Sequence, residues 1–301
     1  MTETCPAACQ GSVPVLFSLR GAQVGRCSKC GVYVLSGTEA SIATEDLDRS
    51  QFEGALHTLR HANYARVLKV MDRLRALPGT RLLDVGCSTG WFLRVAAKGG
   101  LRAYGIEPDD FFYQRLVANL PAGVEVAKGF FPADLPPTWS DFDWITFHDV
   151  FEHLPNPSGV LQAVRERLRP SGFVLLSLPS ADGFVFHLSR MLYRCGVKGP
   201  LERVFQVHYP FPHLFFFAPR SISALARHAG LEVVLIKRLQ SFSGAGATQR
   251  ARMSRPKNLG DRLRSYANAA ALVAFAIAER FLPPDSILVV LRSGGQSSKA
   301  R

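Results

Sequence analysis

Apolar positions along the chain change period several times, and each change marks an element. Between Phe52 and Leu77 they recur at helical spacing (Leu56, Leu59, Ala62, Ala65, Leu68, Met71, Leu74) until Pro78-Gly79 ends the run, which predicts one long helix. A short apolar stretch (Leu82, Leu83, Val85) then predicts a buried strand, and Trp91, Phe92, Leu93, Val95 and Ala96 restore the helical period. The alternation continues with strands at Tyr104–Glu107, Val124–Val126, Trp144–Phe147 and Phe173–Leu178, and helices at Asp109–Leu120 and Val160–Leu168. It closes with a helix from Ile222 to Ala229, a strand from Leu231 to Leu239 and a last strand from Ile287 to Leu291. Short strands alternating with helices predict an α/β fold, here with a sheet of seven strands.

Three regions depart from this rhythm. The first forty residues hold two close cysteine pairs around a segment of β character, Val13 to Leu19. Residues 179–218 are rich in aromatics and carry His187, His208, Tyr209 and His213, as an insertion over an acceptor site would. After a small-residue stretch at Ser241–Gly246, Arg250, Arg252, Arg255, Lys257, Arg262 and Arg264 face only Asp261 among acids, and an apolar helix is expected from Ala267 to Leu282. The expected organisation is a zinc-ribbon-like module at 1–40, a linker and cover helix at 41–78, a core at 79–240 containing the insertion, and a basic segment, helix and last strand at 241–301.

Composition sharpens this only in part. An apolar fraction of 47% over 301 residues is ample for a core. A formal charge of +12 and a pI near 9.8 suit a nucleic acid, an anionic membrane surface or an acidic substrate, and equally suit Arg-rich solvated helices. The polar N-terminus with Cys5 and Cys9 lacks a secretory h-region. The longest apolar stretch, Ala267 to Ala278, is interrupted by Asn268 and is shorter than the ~20 residues of a spanning helix. A cytoplasmic protein is expected, with 241–282 able to lie on the inner, anionic membrane face.

The chemistry gathers around residues 81–92, Arg-Leu-Leu-Asp-Val-Gly-Cys-Ser-Thr-Gly-Trp-Phe. Strand, Gly-x-x-x-Gly turn and helix place a cradle at a helix N-terminus, with Gly86 and Gly90 free to take positive φ and to let a ligand lie against the backbone. Glu107 ends the next strand, where such units hold the two ribose hydroxyls of a nucleoside. The spacing is not Gly-x-Gly-x-x-Gly, and no Lys-Ser/Thr follows, which disfavours a dinucleotide or a triphosphate.

This block resembles motif I of the class I S-adenosylmethionine (SAM)-dependent methyltransferases. Two later blocks extend the resemblance: Phe142-Asp143-Trp144-Ile145-Thr146-Phe147-His148-Asp149-Val150-Phe151-Glu152-His153-Leu154, and Leu168-Arg169-Pro170-Ser171-Gly172-Phe173, with Ser171 where that family often has Gly. The resemblance implies a Rossmann-like sheet whose last strand is antiparallel. It further implies SAM held by Asp84, Gly86, Cys87, Gly90, Glu107, His148 and Asp149, with its adenine against Phe130 or Phe131 and Asp134 as a further contact to the amino group. Tyr64 is a candidate to line the same pocket. His153 is then the first choice for a general base and His148 the next, since a histidine can take a proton from an attacking hydroxyl. His213, in a segment resembling the family's "HLxxF" run, is expected to face the acceptor.

Cys5, Cys9, Cys27 and Cys30 have the spacing of a four-thiolate zinc site, which would be structural because no coordination position stays open. Two disulfides or free thiols are the alternatives. Some sugar-modifying SAM methyltransferases resemble this arrangement of a zinc module ahead of the SAM domain. Three functions compete: methyl transfer to a small or carrier-linked acceptor (a sugar, polysaccharide end, quinone or lipid), methylation of nucleic acid, and non-catalytic SAM binding. The Asp/Asn-Pro-Pro-aromatic signature of base-amino methylation is absent, and intact Asp84, Gly86, Gly90 and Glu107 count against the last.

Overall fold

The computed structural model describes residues 5–37, 49–207, 211–241 and 281–294, with the side chains of the first long helix described from residue 60 onward. The expected basic segment and apolar helix at 242–280 lie outside the described residues.

Three short strands come first: β1 (Val15–Leu19), β2 (Ala22–Arg26) and β3 (Tyr33–Ser36). The long helix α1 (Arg49–Leu74) leads into the alternating core. That core runs β4 (Arg81–Val85), α2 (Trp91–Lys98), β5 (Arg102–Glu107), α3 (Asp110–Ala118), β6 (Glu125–Lys128), β7 (Phe142–His148), α4 (Pro157–Arg167) and β8 (Leu168–Pro179). Then come α5 (Phe184–Arg194), α6 (Gly199–Val204), β9 (Phe215–Phe216), α7 (Pro219–His228), β10 (Leu231–Leu239) and β11 (Ser286–Ser293).

Seven strands form the main sheet in the order β10-β11-β8-β7-β4-β5-β6. The strands from β6 to β8 are parallel, and β11 runs antiparallel to both of its neighbours, as the resemblance implies. Strand period decides which layer covers which face. Leu82, Trp144, Leu175 and Leu288 turn to one face, under Val67 and Met71 of α1 and Phe92, Leu93 and Ala96 of α2. Their chain neighbours Leu83, Ile145, Val174 and Val289 turn to the other, under Leu161 and Val164 of α4 and Ile222 and Leu225 of α7. At the amino edge of the sheet, buried Asp143 accepts hydrogen bonds from Arg75 and Arg169 and from the backbone N–H of Arg81, which ties α1, β4 and β8 to β7. Some of the excess arginine is therefore spent inside the fold.

A second sheet, β1-β2-β3-β9, joins the N-terminal strands to the aromatic insertion, with Tyr33 opposite Phe216 and Val34 opposite Phe215. Beneath it a separate core packs Phe17, Val24, Tyr33 and Leu35 against Phe186, Leu201, Phe205 and Phe216. Phe186, Phe205 and Phe216 of the insertion are thus the hydrophobic half of this joint. No helix among the described residues is long and apolar enough to cross a membrane.

Candidate functional site

The carboxyl edge of the main sheet opens where β4 and β7 end side by side. The β4 strand stops at Gly86, whose φ of +68° favours glycine and whose missing Cβ would otherwise lie 2.7 Å from Val150 Cγ2. The turn ends at Gly90, φ +77°, where a Cβ would come within 2.4 Å of Leu116 Cδ1 before α2 begins. Both glycines are therefore demanded by backbone conformation and by close approach.

Glu107 closes one side of this turn. It is buried, and each carboxylate oxygen accepts one backbone N–H, from Ser88 at 2.8 Å and from Asp109 at 3.0 Å. A carboxylate has about four lone-pair sites, so one acceptor position per oxygen remains for a pair of hydroxyls. Burial raises its pKa, while the two backbone bonds pull it down. Asp84 is buried beside it, with Oδ1 accepting from Thr146 Oγ1 at 2.8 Å. Burial, helped by the charge of Glu107 and opposed by the Thr146 bond, pushes Asp84 up to about 7. Cys87 is buried in the same wall and its thiol is pushed well up by burial.

The cleft over this turn is shared with α1. A small cavity of ≈ 20 Å³ is lined by Asp84, Gly86, Cys87 and Ser88, and a larger one of ≈ 180 Å³ by Asn63, Asp149, Ser177 and Leu239; Arg60, Tyr64 and His148 line both. Strand β7 ends at His148, and Asp149 takes φ +55°, a left-handed bend that Asp tolerates. The His148 ring is wedged 4.2 Å from Phe92 and 5.1 Å from Tyr64, centroid to centroid, and its Nδ1 is 3.1 Å from Ser177 Oγ. Its Nε2 is buried with no hydrogen-bond partner. Burial, with Arg60 adding to it, pushes the His148 pKa down to about 3, so the ring is neutral at physiological pH. Asp149 pairs with Arg60 at 3.5 Å.

His153 and His213 do not line either cavity. They pack on each other, 4.8 Å between ring centroids, on the turn Phe151–His153 and the segment before β9. Phe131 is buried against Phe147, whereas Phe130 projects outward at 66% exposure. Asp134 accepts the Phe130 N–H at 2.8 Å, which holds that loop. No local pattern marks Arg60, Asn63 or Ser177 as lining the cleft. Arg60 and Tyr64 are one helical turn apart and so share a face of α1, but which strand ends that face overlies depends on packing between distant segments.

Around the turn between β2 and β3 the four cysteines converge, with Cys5, Cys27 and Cys30 part of the core that includes Phe215 and Ile222. Cys5 Sγ lies 3.5 Å from Cys30 Sγ and Cys9 Sγ 3.3 Å from Cys27 Sγ, all four sulfurs fall within 4.8 Å of one another, and none is in a disulfide. Cys27 Sγ also accepts the Cys30 backbone N–H at 3.4 Å.

Comparison with known proteins agrees with this geometry. The family described as "Methyltransferase domain" matches residues 56–236. A ubiquinone biosynthesis O-methyltransferase of Aeromonas salmonicida is 32% identical over 189 residues, covering 60% of this chain and 75% of that protein. Among solved structures, a chain from the complex of the Haloferax volcanii Trm112 methyltransferase activator with a methyltransferase superposes with a TM-score of 0.58 at 17% identity, covering 84% of this chain and 99% of that one. A mycolic acid cyclopropane synthase complexed with SAH and CTAB gives 0.53 at 19% identity, covering 77% and 85%. At such identities the superpositions speak for the fold. The matched family, together with the glycine turn, the buried acid and the sheet order, places this chain among the class I SAM-dependent methyltransferases.

Proposed function

We propose that the chain methylates a hydroxyl oxygen of a small, ring-bearing acceptor of the phenol or quinol class, and that His148 is the base. The observation that carries this is the buried, partnerless Nε2 of His148 on the wall common to the glycine-turn cavity and its larger neighbour. The relatives named for ubiquinone biosynthesis O-methylation support an oxygen acceptor on a ring.

SAM supplies a methyl group made electrophilic by its sulfonium, leaving as the thioether S-adenosylhomocysteine. Everything else falls to the chain. The turn at Gly86–Gly90 with Cys87 beds the ligand, the spare acceptor positions of Glu107 take its ribose hydroxyls, and Asp84 and Arg60 offer charges for its amino and carboxylate ends. With Nδ1–H donated to Ser177 Oγ, His148 Nε2 carries the lone pair and takes the acceptor's hydroxyl proton as the oxygen attacks. Phe92 and Tyr64 keep the ring from turning away, so orientation is prepared before the acceptor arrives.

The four cysteines we assign to a structural zinc ion. Tetrahedral Zn–S bonds of ~2.3 Å place sulfurs ~3.8 Å apart, close to the spacing found between the cysteine sulfurs, and the N–H bond to Cys27 is one a thiolate favours.

The test incubates the protein with isotopically labelled SAM and a panel of hydroquinones, sugars, carrier- or lipid-linked forms of each, and RNA. Label should pass to a ring hydroxyl, and His148→Gln should stop it. Label entering RNA alone, or transfer unaffected in His148→Gln, refutes the assignment. Binding to anionic vesicles, with and without residues 241–282, separates a free acceptor from a membrane-borne one.

A further inference from the structure

The turn after β7 carries a group that the chemistry above leaves unused. Glu152 is only 1% exposed, and neither of its carboxylate oxygens has a hydrogen-bond partner from another residue. A buried carboxylate left charged and alone is costly, so it either takes up a proton, the direction in which burial shifts Glu152, or is met by a cation. The fold sets two imidazoles beside it: His213 Nε2 lies 4.0 Å from Glu152 Oε1. One carboxylate oxygen and one ring nitrogen from each of His153 and His213 lie within 4.8 Å of one another.

The tautomers follow from the backbone. His153 Nδ1 is 2.8 Å from the carbonyl oxygen of Pro212, and His213 Nδ1 is 2.8 Å from that of Val204. A carbonyl can only accept, so each Nδ1 carries the hydrogen and each Nε2 keeps its lone pair. The Nε2 lone pair of His213, a ring nitrogen of His153 and a Glu152 carboxyl oxygen therefore converge, and no other residue donates a hydrogen bond to that carboxyl. A single proton shared by Glu152 and His213 does not fill the gap, because 4.0 Å is too long for a hydrogen bond. Nδ1–H groups anchored on carbonyls are also the outer contacts that fix metal-ligating histidines.

We propose that Glu152, His153 and His213 bind a divalent transition-metal cation of the zinc class. Two imidazoles and one carboxylate suit such a cation better than magnesium or calcium, which favour all-oxygen sites. Three protein donors leave a coordination position open, unlike the four-cysteine cluster. The ligands come from two segments already in register, since Leu214 donates its N–H to the carbonyl of Glu152 at 3.0 Å and Leu35 of β3 donates to the carbonyl of Leu214 at 2.8 Å. The cation would fasten the insertion and, through β3, the N-terminal strands to the edge of the main sheet. The inference does not depend on which residue is the base or on what the acceptor is.

The test is a cobalt(II) titration of full-length protein stripped of metal under reducing conditions. Thiolate-bound cobalt shows intense sulfur-to-metal charge-transfer absorption, whereas a nitrogen–oxygen site shows only weaker ligand-field bands. The wild type should show a component without thiolate character. Glu152→Gln and His213→Gln should each abolish it and reduce zinc content by about one equivalent per chain, while the thiolate component persists. A wild type with thiolate bands alone, or a nitrogen–oxygen component that survives in a variant whose circular dichroism is native, overturns the site; if one variant misfolds, the other decides. Thermal stabilisation by S-adenosylhomocysteine, read on the same wild-type sample, reports separately on the cofactor pocket.

Discussion

On one half of the sheet's carboxyl edge, the wall of the pocket comes from a single run of chain, Asp84 to Glu107, folded as strand, turn, helix and strand. On the other half it is assembled from Asn63 on α1, Ser177 on β8 and Leu239 on β10, with Arg60 and Tyr64 of α1 and His148 at the end of β7 standing between the two halves. The first half is a local solution, repeated wherever the same ligand must be cradled. The second is a meeting of distant segments, and there a chain can change its acceptor without disturbing its cofactor. If that division is real, substitutions on the two sides should fail differently.

The largest expected effect belongs to His148, which stands between the halves and which we assign to the acceptor. His148→Gln keeps a polar group of similar size and removes the proposed base, so kcat should fall by ~10²- to 10⁴-fold, with S-adenosylhomocysteine affinity from calorimetry nearly unchanged. A parallel loss of affinity would mean that His148 belongs to the cofactor half and that the division is drawn in the wrong place. Next comes Glu107→Ala on the cofactor side. Two hydrogen bonds to a charged group, at ~1.5–3 kcal/mol each, would be lost, so calorimetric affinity should drop by at least ~10²-fold. Turnover at saturating SAM should recover if Glu107 only binds.

The same division explains what the sequence made legible. Gly86, Gly90 and Glu107 could be read directly because their reasons are local: a positive φ, a close approach, an acid at a strand end. Motif position marked His153, but the chain could not reveal that its Nδ1 would meet the Pro212 carbonyl and its ring pack on His213. Phe130 and Phe131 differ by one residue and so point opposite ways; the pattern marked both without choosing, and packing against Phe147 placed Phe131 inside. The aromatics of 179–218 were visible, but their pairing through β9 with β3 joins segments far apart in sequence, which no local pattern encodes.

That pairing gives the third prediction, smaller in size. Cys27→Ser should loosen β1–β3 and, through Phe215 and Phe216, the insertion at 179–218, which we propose covers the acceptor. Acceptor KM should then rise by roughly tenfold while S-adenosylhomocysteine affinity stays within a factor of ~2. Hydrogen exchange should quicken at Leu35 and Leu214 and stay slow in β4 and β5. Equal loosening of both regions would show that the small sheet supports the whole molecule.

The smallest effect is one of pH, and it sits on the cofactor half. Asp84 is pushed up to about 7, chiefly by burial, from ~3.9 in an unfolded chain. Its folded value is the higher one, so the folded state holds the extra proton. Its contribution to stability is full below pH ~4 and is lost as pH rises through about 7. A cationic ligand reverses the preference, because the ammonium and sulfonium of SAM are drawn to the ionised carboxylate. From pH 6.5 upward SAM affinity should therefore rise by about 4-fold and level off above about 7, with His148 already neutral throughout that range. Asp84→Asn should flatten the curve, and adenosine, which has neither charge, should show no rise with the wild type. If the slope persists in Asp84→Asn, the titrating group lies elsewhere. Glu107, whose pKa burial also raises, would be the next carboxylate on the same side to substitute.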